Sequence, residues 1–160
     1  MPTHFKGNRR YLYEFSDLFL VHCPRCDKCA RVVPRDRQTW DAGGPPYTKY
    51  LFAPRRLTCE YCGCVKEWEG KRVGVAGAND WYFGQPLWLQ ASCTGELLWA
   101  LNQRHLQFIE DFVRADFRET HWNASLASRL PEWMKLSKNR EDVLKCIAKL
   151  REILVSEDGR

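Results

Sequence analysis

Apolar positions recur at helical spacing in two stretches toward the end of the chain. After Asn139, the residues Val143, Leu144, Ile147, Leu150, Ile153 and Leu154 fall on one helix face. Asn139 can cap that helix, with Asp142 three residues on. From Asn102, "NQRHLQFIEDFVRADFRET" sets Leu106, Ile109, Phe112, Val113 and Phe117 at the same spacing and predicts an amphipathic helix. "ASLASRL" predicts a short helix ending near Pro131. Upstream the period shortens. "LWLQAS" and "ELLWAL" are aliphatic runs divided by "CTG", which reads as a hairpin with Thr94-Gly95 in its turn. "VGVAGANDWYFGQP" before them is glycine-rich and turn-like.

The first half has no helical period. Short β-prone runs flank two cysteine clusters: "LFLVH" and "ARVV" around the first, "RRLT" and "CVKEW" around the second. The separating segment contains Gly43-Gly44-Pro45-Pro46, a loop signal. A basic, aromatic lead-in, "KGNRRYLYEF", precedes the clusters. No internal repeat appears beyond the two cysteine knuckles.

The clusters carry the clearest chemistry. Cys23-x2-Cys26 and Cys59-x2-Cys62 are matched hooks. A CxxC turn aims two thiolates at one ion, and two such turns close a tetrahedron that suits Zn²⁺ at about 2.3 Å per sulfur. Pro24 follows the first ligand position, and Gly63 follows the last, where a tight turn needs a permissive backbone. Cys29 and Cys64 then stand on the outgoing strands as small hydrophobes. Cys26-x2-Cys29 as the first hook, Cys64 in place of Cys62, and a two-zinc or redox cluster are the alternatives. His22 adjoins Cys23 but faces away if it lies on a strand. Four protein ligands leave no open coordination position, so the expected role is one structural zinc that folds a segment too small to fold alone.

The pattern predicts an α+β protein. Residues 1–72 form the lead-in and an N-terminal four-cysteine zinc ribbon. That ribbon packs on a C-terminal β-hairpin with two or three helices, residues 73–160. Apolar residues at 44% and charged residues at 28% suit a globular chain, and seven tryptophans demand a core or a partner to cover them.

Eight cysteines would suit a disulfide framework in a secreted protein. The N-terminal apolar run, however, is short and broken by Ser16 and Asp17, with no small-residue cleavage site. No stretch approaches the roughly 18 apolar residues that a membrane span requires. The expectation is a cytoplasmic protein with no membrane contact, its clustered thiols holding metal and Cys93 and Cys146 remaining isolated buried thiols.

Charge is uneven. Residues 1–72 hold 14 Lys and Arg against 8 Asp and Glu, whereas residues 73–160 hold 11 against 12. The basic surplus therefore lies with the cysteines. Arg9, Arg10, Arg31, Arg35, Arg37, Arg55 and Arg56 surround the ribbon with Lys6, Tyr11, Tyr13, Trp40, Tyr47 and Tyr50. Guanidinium groups neutralise phosphates and aromatic faces stack unpaired bases. This predicts a non-enzymatic binding module for nucleic acid. The alternative is a protein-binding adaptor or inhibitor, of immunity or antitoxin type, using a tryptophan-rich surface. No catalytic constellation and no small-molecule substrate are implied: "GVAGAND" lacks the lysine of a phosphate loop, and the four histidines are scattered. A third reading is an enzyme built around Cys93 or His105, the latter expected on a solvated helix face.

With "CPRC" and "LTCEYCGC" in place, the first half resembles the zinc ribbons of transcription, replication and repair proteins. The whole chain resembles small bacterial proteins with a transcription-factor-type zinc ribbon, through "DWYFGQPLWLQASC", "GELLWALNQRHLQFIEDFV" and "SRLPEWMKLSKNREDVLKCIAKL". That resemblance implies the domain layout and a bacterial cytosolic setting, and supplies no mechanism. It marks Trp88, Trp99, Asn102 and His105 as motif positions; a hairpin-and-helix core accounts for the two tryptophans more simply.

Overall fold

The computed structural model describes residues 4–6, 12–36, 51–70, 72–74, 77–115, 117–119 and 130–158. In chain order the elements are β1 (His4–Lys6), a 3-10 turn (Leu12–Phe15), β2 (Phe19–His22), β3 (Cys29–Pro34), β4 (Arg55–Thr58) and β5 (Val65–Trp68). Then come β6 (Leu89–Cys93), β7 (Glu96–Ala100), α1 (Gln103–Arg114), β8 (Phe117–Glu119), α2 (Glu132–Lys135), a 3-10 turn (Ser137–Asn139) and α3 (Arg140–Asp158). The class is α+β, with the cysteine cluster in the N-terminal region. Two compact units form. The ribbon unit is Tyr13–Leu89 with Ala100–Asn102; the helical unit is Met1–Leu12, Gln90–Trp99 and Gln103–Arg160. The ribbon unit thus runs past residue 72, because the "DWYFGQP" turn packs within it.

In the ribbon unit β2, β3, β4 and β5 form an antiparallel meander. Register aligns Phe19, Val32, Leu57 and Lys66 across the sheet. Strand alternation then sends Ala30, Val32, Pro34, Arg55 and Leu57 inward and Arg31, Arg35 and Arg56 outward. Phe19, Val32 and Leu57 are fully buried, each contributing about 1.5–3 kcal/mol of apolar burial.

The segment around Leu87 closes the free edge of β2. The Leu20 N–H donates to the Leu101 carbonyl, the Trp88 N–H to Leu20 O, and the His22 N–H to Pro86 O, all at 2.8–2.9 Å. The turn ahead of it is built on Asp80. Its carboxylate accepts the backbone N–H groups of Tyr82 (2.9 Å), Phe83 (2.7 Å) and Gln85 (2.6 Å), which fixes "DWYFGQ" without regular structure. Those residues deliver Trp81 and Tyr82 edge-on to the Phe19 ring, at 5.1 and 5.8 Å between centroids.

Arg55 corrects an expectation. It lies buried on the inner sheet face, its guanidinium 4.4 Å from the Tyr82 ring centroid and donating to the Ser16 carbonyl. The position is set by β4 alternation, which turns Arg56 to solvent and Arg55 to the core. Burial holds its pKa below the usual arginine range. Arg55 supports the core and is not available to a partner.

The helical unit is packed by α1 and α3. α1 buries Leu106, Phe108, Ile109, Phe112 and Val113, and α3 buries Val143, Cys146, Ile147 and Leu150. Glu110 joins the two helices: Arg151 donates to it from Nε at 2.8 Å, and Arg114 from one turn on at 3.0 Å. Burial raises the Glu110 pKa, but these two guanidiniums more than offset it and hold the carboxyl below its ordinary value. The hairpin of β6 and β7 turns at Thr94 (φ 51°) and Gly95 (φ 83°), the left-handed pair that a two-residue hairpin turn requires.

Three further expectations change here. Phe117 belongs to β8, which pairs in parallel with β1, not to the helix; the helix stops at Arg114. Cys93 and Cys146 are joined as a disulfide with Cα atoms 6.1 Å apart, linking β6 to α3. They lie 53 positions apart, so spacing gives no sign of the pairing. His105 is buried rather than solvated, with the Trp99 ring edge-on at 5.9 Å. It stands four residues before Ile109 and seven before Phe112, the spacing of the apolar face. Burial drives its pKa down to about 3, so the ring is neutral. Asn139 closes the 3-10 turn before α3 and donates from Nδ2 to the Trp133 carbonyl at 2.9 Å. Most of the expected "ASLASRL" helix lies outside the described residues, as do Arg9, Arg10, Arg37 and Trp40.

Candidate metal centre

The two cysteine hooks form the same backbone turn twice, at positions 36 apart (59 minus 23). In the first, the Asp27 N–H donates to Cys23 O at 2.9 Å and the Cys23 N–H to Lys28 O at 2.7 Å. In the second, the Gly63 N–H donates to Cys59 O and the Cys59 N–H to Cys64 O, each at 2.9 Å. Each turn then needs a left-handed residue: Asp27 at φ 64° and Gly63 at φ 75°. Glycine adopts that conformation freely and aspartate is among the residues that tolerate it. β2 leads into the first turn and β3 out of it; β4 and β5 do the same for the second. Antiparallel pairing of β3 with β4 brings the two turns to one end of the sheet.

The structure places Cys23, Cys26, Cys59 and Cys62 together, with all four sulfurs within 4.8 Å of one another. The Sγ atoms of Cys23 and Cys62 are 3.6 Å apart, and those of Cys26 and Cys59 3.5 Å. Four thiolates at about 2.3 Å around one ion would put sulfur pairs roughly 3.8 Å apart, so the cluster fits a tetrahedral metal ion. The four sulfurs could hold a metal ion with no further ligand.

Equivalence of the turns explains the two remaining cysteines. Cys64 occupies the second turn's counterpart of Lys28, and Cys29 is the counterpart of Val65. Neither belongs to the four-sulfur group. Cys64 is buried, and that burial pushes its thiol above the usual range. His22 also stays outside the group. Its Nδ1 lies 3.2 Å from the Asp27 carboxylate, and its ring packs against Trp88 at 4.6 Å.

The thiols show the strain of four potential anions in one place. Burial raises the Cys23 thiol, but donors from the backbone of Cys26 and Arg25 and from the neighbouring thiols bring it down to about 6. The Arg25 N–H···Sγ contact is 3.4 Å. At Cys26 the Lys28 amide pulls the pKa down, yet burial and the facing sulfurs push it up to about 12. One thiolate is favoured and the next resisted, which is the behaviour of coupled acids sharing a site. A dication would relieve that repulsion.

The arginines divide. Arg31, Arg35 and Arg56 stand exposed on the outer sheet face, Arg55 is buried, and Arg9, Arg10, Arg37 and Trp40 are outside the described residues. Arg25 and Lys28, not singled out beforehand, are exposed on the first knuckle. Arg25 lies inside the CxxC turn and Lys28 two residues past it, at a tip that must face solvent, and that position is the signal that finds them. Lys28 lies over the Tyr61 ring at 5.0 Å. Among the five described tryptophans, Trp81 is buried and Trp68, Trp88, Trp99 and Trp133 are half-buried, so none offers an open indole face. Trp99 and His105 pack together, and Asn102 is a buried clamp; the described motif positions support the core. No helix among the described residues is long and apolar enough to cross a membrane. Neither a protein-family model, a curated protein nor a solved structure matches the chain.

Proposed function

We propose that the chain is a non-enzymatic binding module, folded around one structural zinc ion, that contacts nucleic acid through the ribbon. The observation that carries the metal half is the closed set of four sulfurs. All four corners come from the protein, leaving no position for a substrate or an activated water. Zinc is the ion this donor set favours among common cellular metals, since thiolates select soft or borderline cations and the geometry is tetrahedral. The resemblance to transcription-type zinc ribbons supports the same reading.

The nucleic-acid half rests on exposed cations. Arg31, Arg35 and Arg56 lie on one sheet face, with Arg25 and Lys28 on the adjoining knuckle. Across the strands Arg31 faces Thr58 and then Val65, not a carboxylate. The adaptor reading is less favoured, because none of the described tryptophans is more exposed than half-buried.

A salt titration of binding to labelled single- and double-stranded DNA and RNA tests this. Affinity should fall linearly on a log–log plot, with a slope of about −0.9 per phosphate neutralised on duplex and about −0.7 on single strands. Absence of binding at low salt would overturn the nucleic-acid reading and leave the metal reading standing.

A further inference from the structure

Two of the three outward arginines are already holding anions. Glu67 on β5 sits directly across from Arg56 on β4. Its Oε1 accepts from Arg56 Nε at 2.6 Å, and its Oε2 accepts from Arg35 Nε at 3.1 Å. Glu69 binds Arg35 as well. One carboxylate therefore bridges two guanidiniums, one oxygen to each, as two oxygens of a phosphate would. The guanidiniums keep the Glu67 carboxyl below its usual pKa, Arg56 first. All these groups are partly open to solvent, Glu67 at 40% and Arg56 at 44% side-chain exposure, so the bridge is reachable and individually weak. Arg31 on β3 lies four residues before Arg35, which directly follows the strand, roughly 13 Å away at strand spacing.

We propose that this outer face of the ribbon sheet is the phosphate-contacting surface, and that Glu67 occupies a phosphate position on it, so that a nucleic-acid backbone binds by displacing Glu67 from Arg35 and Arg56. This rests on the nucleic-acid reading above and adds to it the surface and the residue that regulates it. Displacement is favourable for a polyanion because several phosphates arrive together and release counterions, whereas a lone carboxylate does not. Glu67 thereby weakens binding to isolated anions and to short, sparsely charged strands.

The test is Glu67→Gln in the full chain carrying its metal, with Glu152→Gln on α3 as a control. The control removes the same charge from an exposed helix position. Both are titrated against a labelled oligonucleotide over a range of salt, with zinc content measured to show that the ribbon is intact. Glu67→Gln should bind about ten-fold more tightly at low salt with a similar log–log slope, since the same guanidiniums meet phosphate in both complexes and only the competing carboxylate is gone. In an Arg56→Gln background that gain should largely vanish.

If wild type binds and Glu67→Gln gains no more than Glu152→Gln, the displacement proposal falls and the binding reading survives. If neither wild type nor Glu67→Gln binds, the nucleic-acid reading falls and takes this proposal with it. An equal gain toward poly-glutamate would also overturn it, since the surface would then not be one for phosphate.

Discussion

Serine at Cys59 is expected to abolish metal binding and unfold the ribbon, whereas serine at Cys64 leaves metal content near one ion per chain. The two residues are five apart in one short turn, and a thiol count would treat them alike. Their roles differ because the second turn repeats the first. Cys59 opens it as Cys23 opens the other, while Cys64 takes the place of Lys28, whose carbonyl and not its side chain closes the turn. A four-thiolate zinc site contributes on the order of 10–16 kcal/mol of apparent binding free energy, more than the whole stability of an ordinary domain. Loss of one ligand therefore removes β2–β5 order and not merely the ion. Cys64→Ser exchanges one small buried group for another beside Cys23, at a cost of about 1–3 kcal/mol for burying a hydroxyl. Metal analysis by mass spectrometry with far-UV circular dichroism separates the outcomes. Equal metal loss in both variants would show that the ligand set is wrong.

Asn102→Asp is expected to destabilise the ribbon unit by about 2–6 kcal/mol with metal still bound. The Asn102 side-chain amide is buried and donates to the Phe15 and Leu18 carbonyls, each at 2.7 Å. These carbonyls belong to the chain entering β2, so one amide ties Ala100–Asn102 to the start of the sheet. Aspartate is almost the same shape but has only oxygens to present. An ionised carboxylate leaves both carbonyls without a donor, at about 1–3 kcal/mol each, and a carboxyl kept protonated by burial can serve only one of them at the added cost of its raised pKa. Urea denaturation at fixed excess zinc measures the change. A shift below about 1 kcal/mol would mean that the amide is not the clamp described.

Much of this architecture is legible in the chain because it is written locally. The CxxC turns show in four-residue spacing, and Gly63 announces the left-handed position that Asp27 fills in the other copy. The Thr94-Gly95 turn and the apolar faces of α1 and α3 follow from period alone. What escapes local reading depends on partners distant in sequence. Phe117 keeps the helical register of α1, yet its backbone pairs with His4, more than a hundred residues away. Cys93 and Cys146 have nothing nearby to suggest a bond. Arg55 and Arg56 are chemically identical neighbours, and only the strand's alternation, fixed by burial of Leu57, decides which enters the core. His105 was legible after all: its spacing from Ile109 and Phe112 places it on the apolar face, but histidine chemistry invites a surface reading.

Zinc-edge X-ray absorption on protein purified with its native metal, paired with the metal-to-chain ratio, is the most direct measurement of the centre. Four sulfur scatterers at about 2.3 Å, with one zinc per chain and no nitrogen or oxygen neighbour, is the predicted result. A shell containing nitrogen or oxygen, a metal–metal vector, or a metal other than zinc in the purified protein would contradict it.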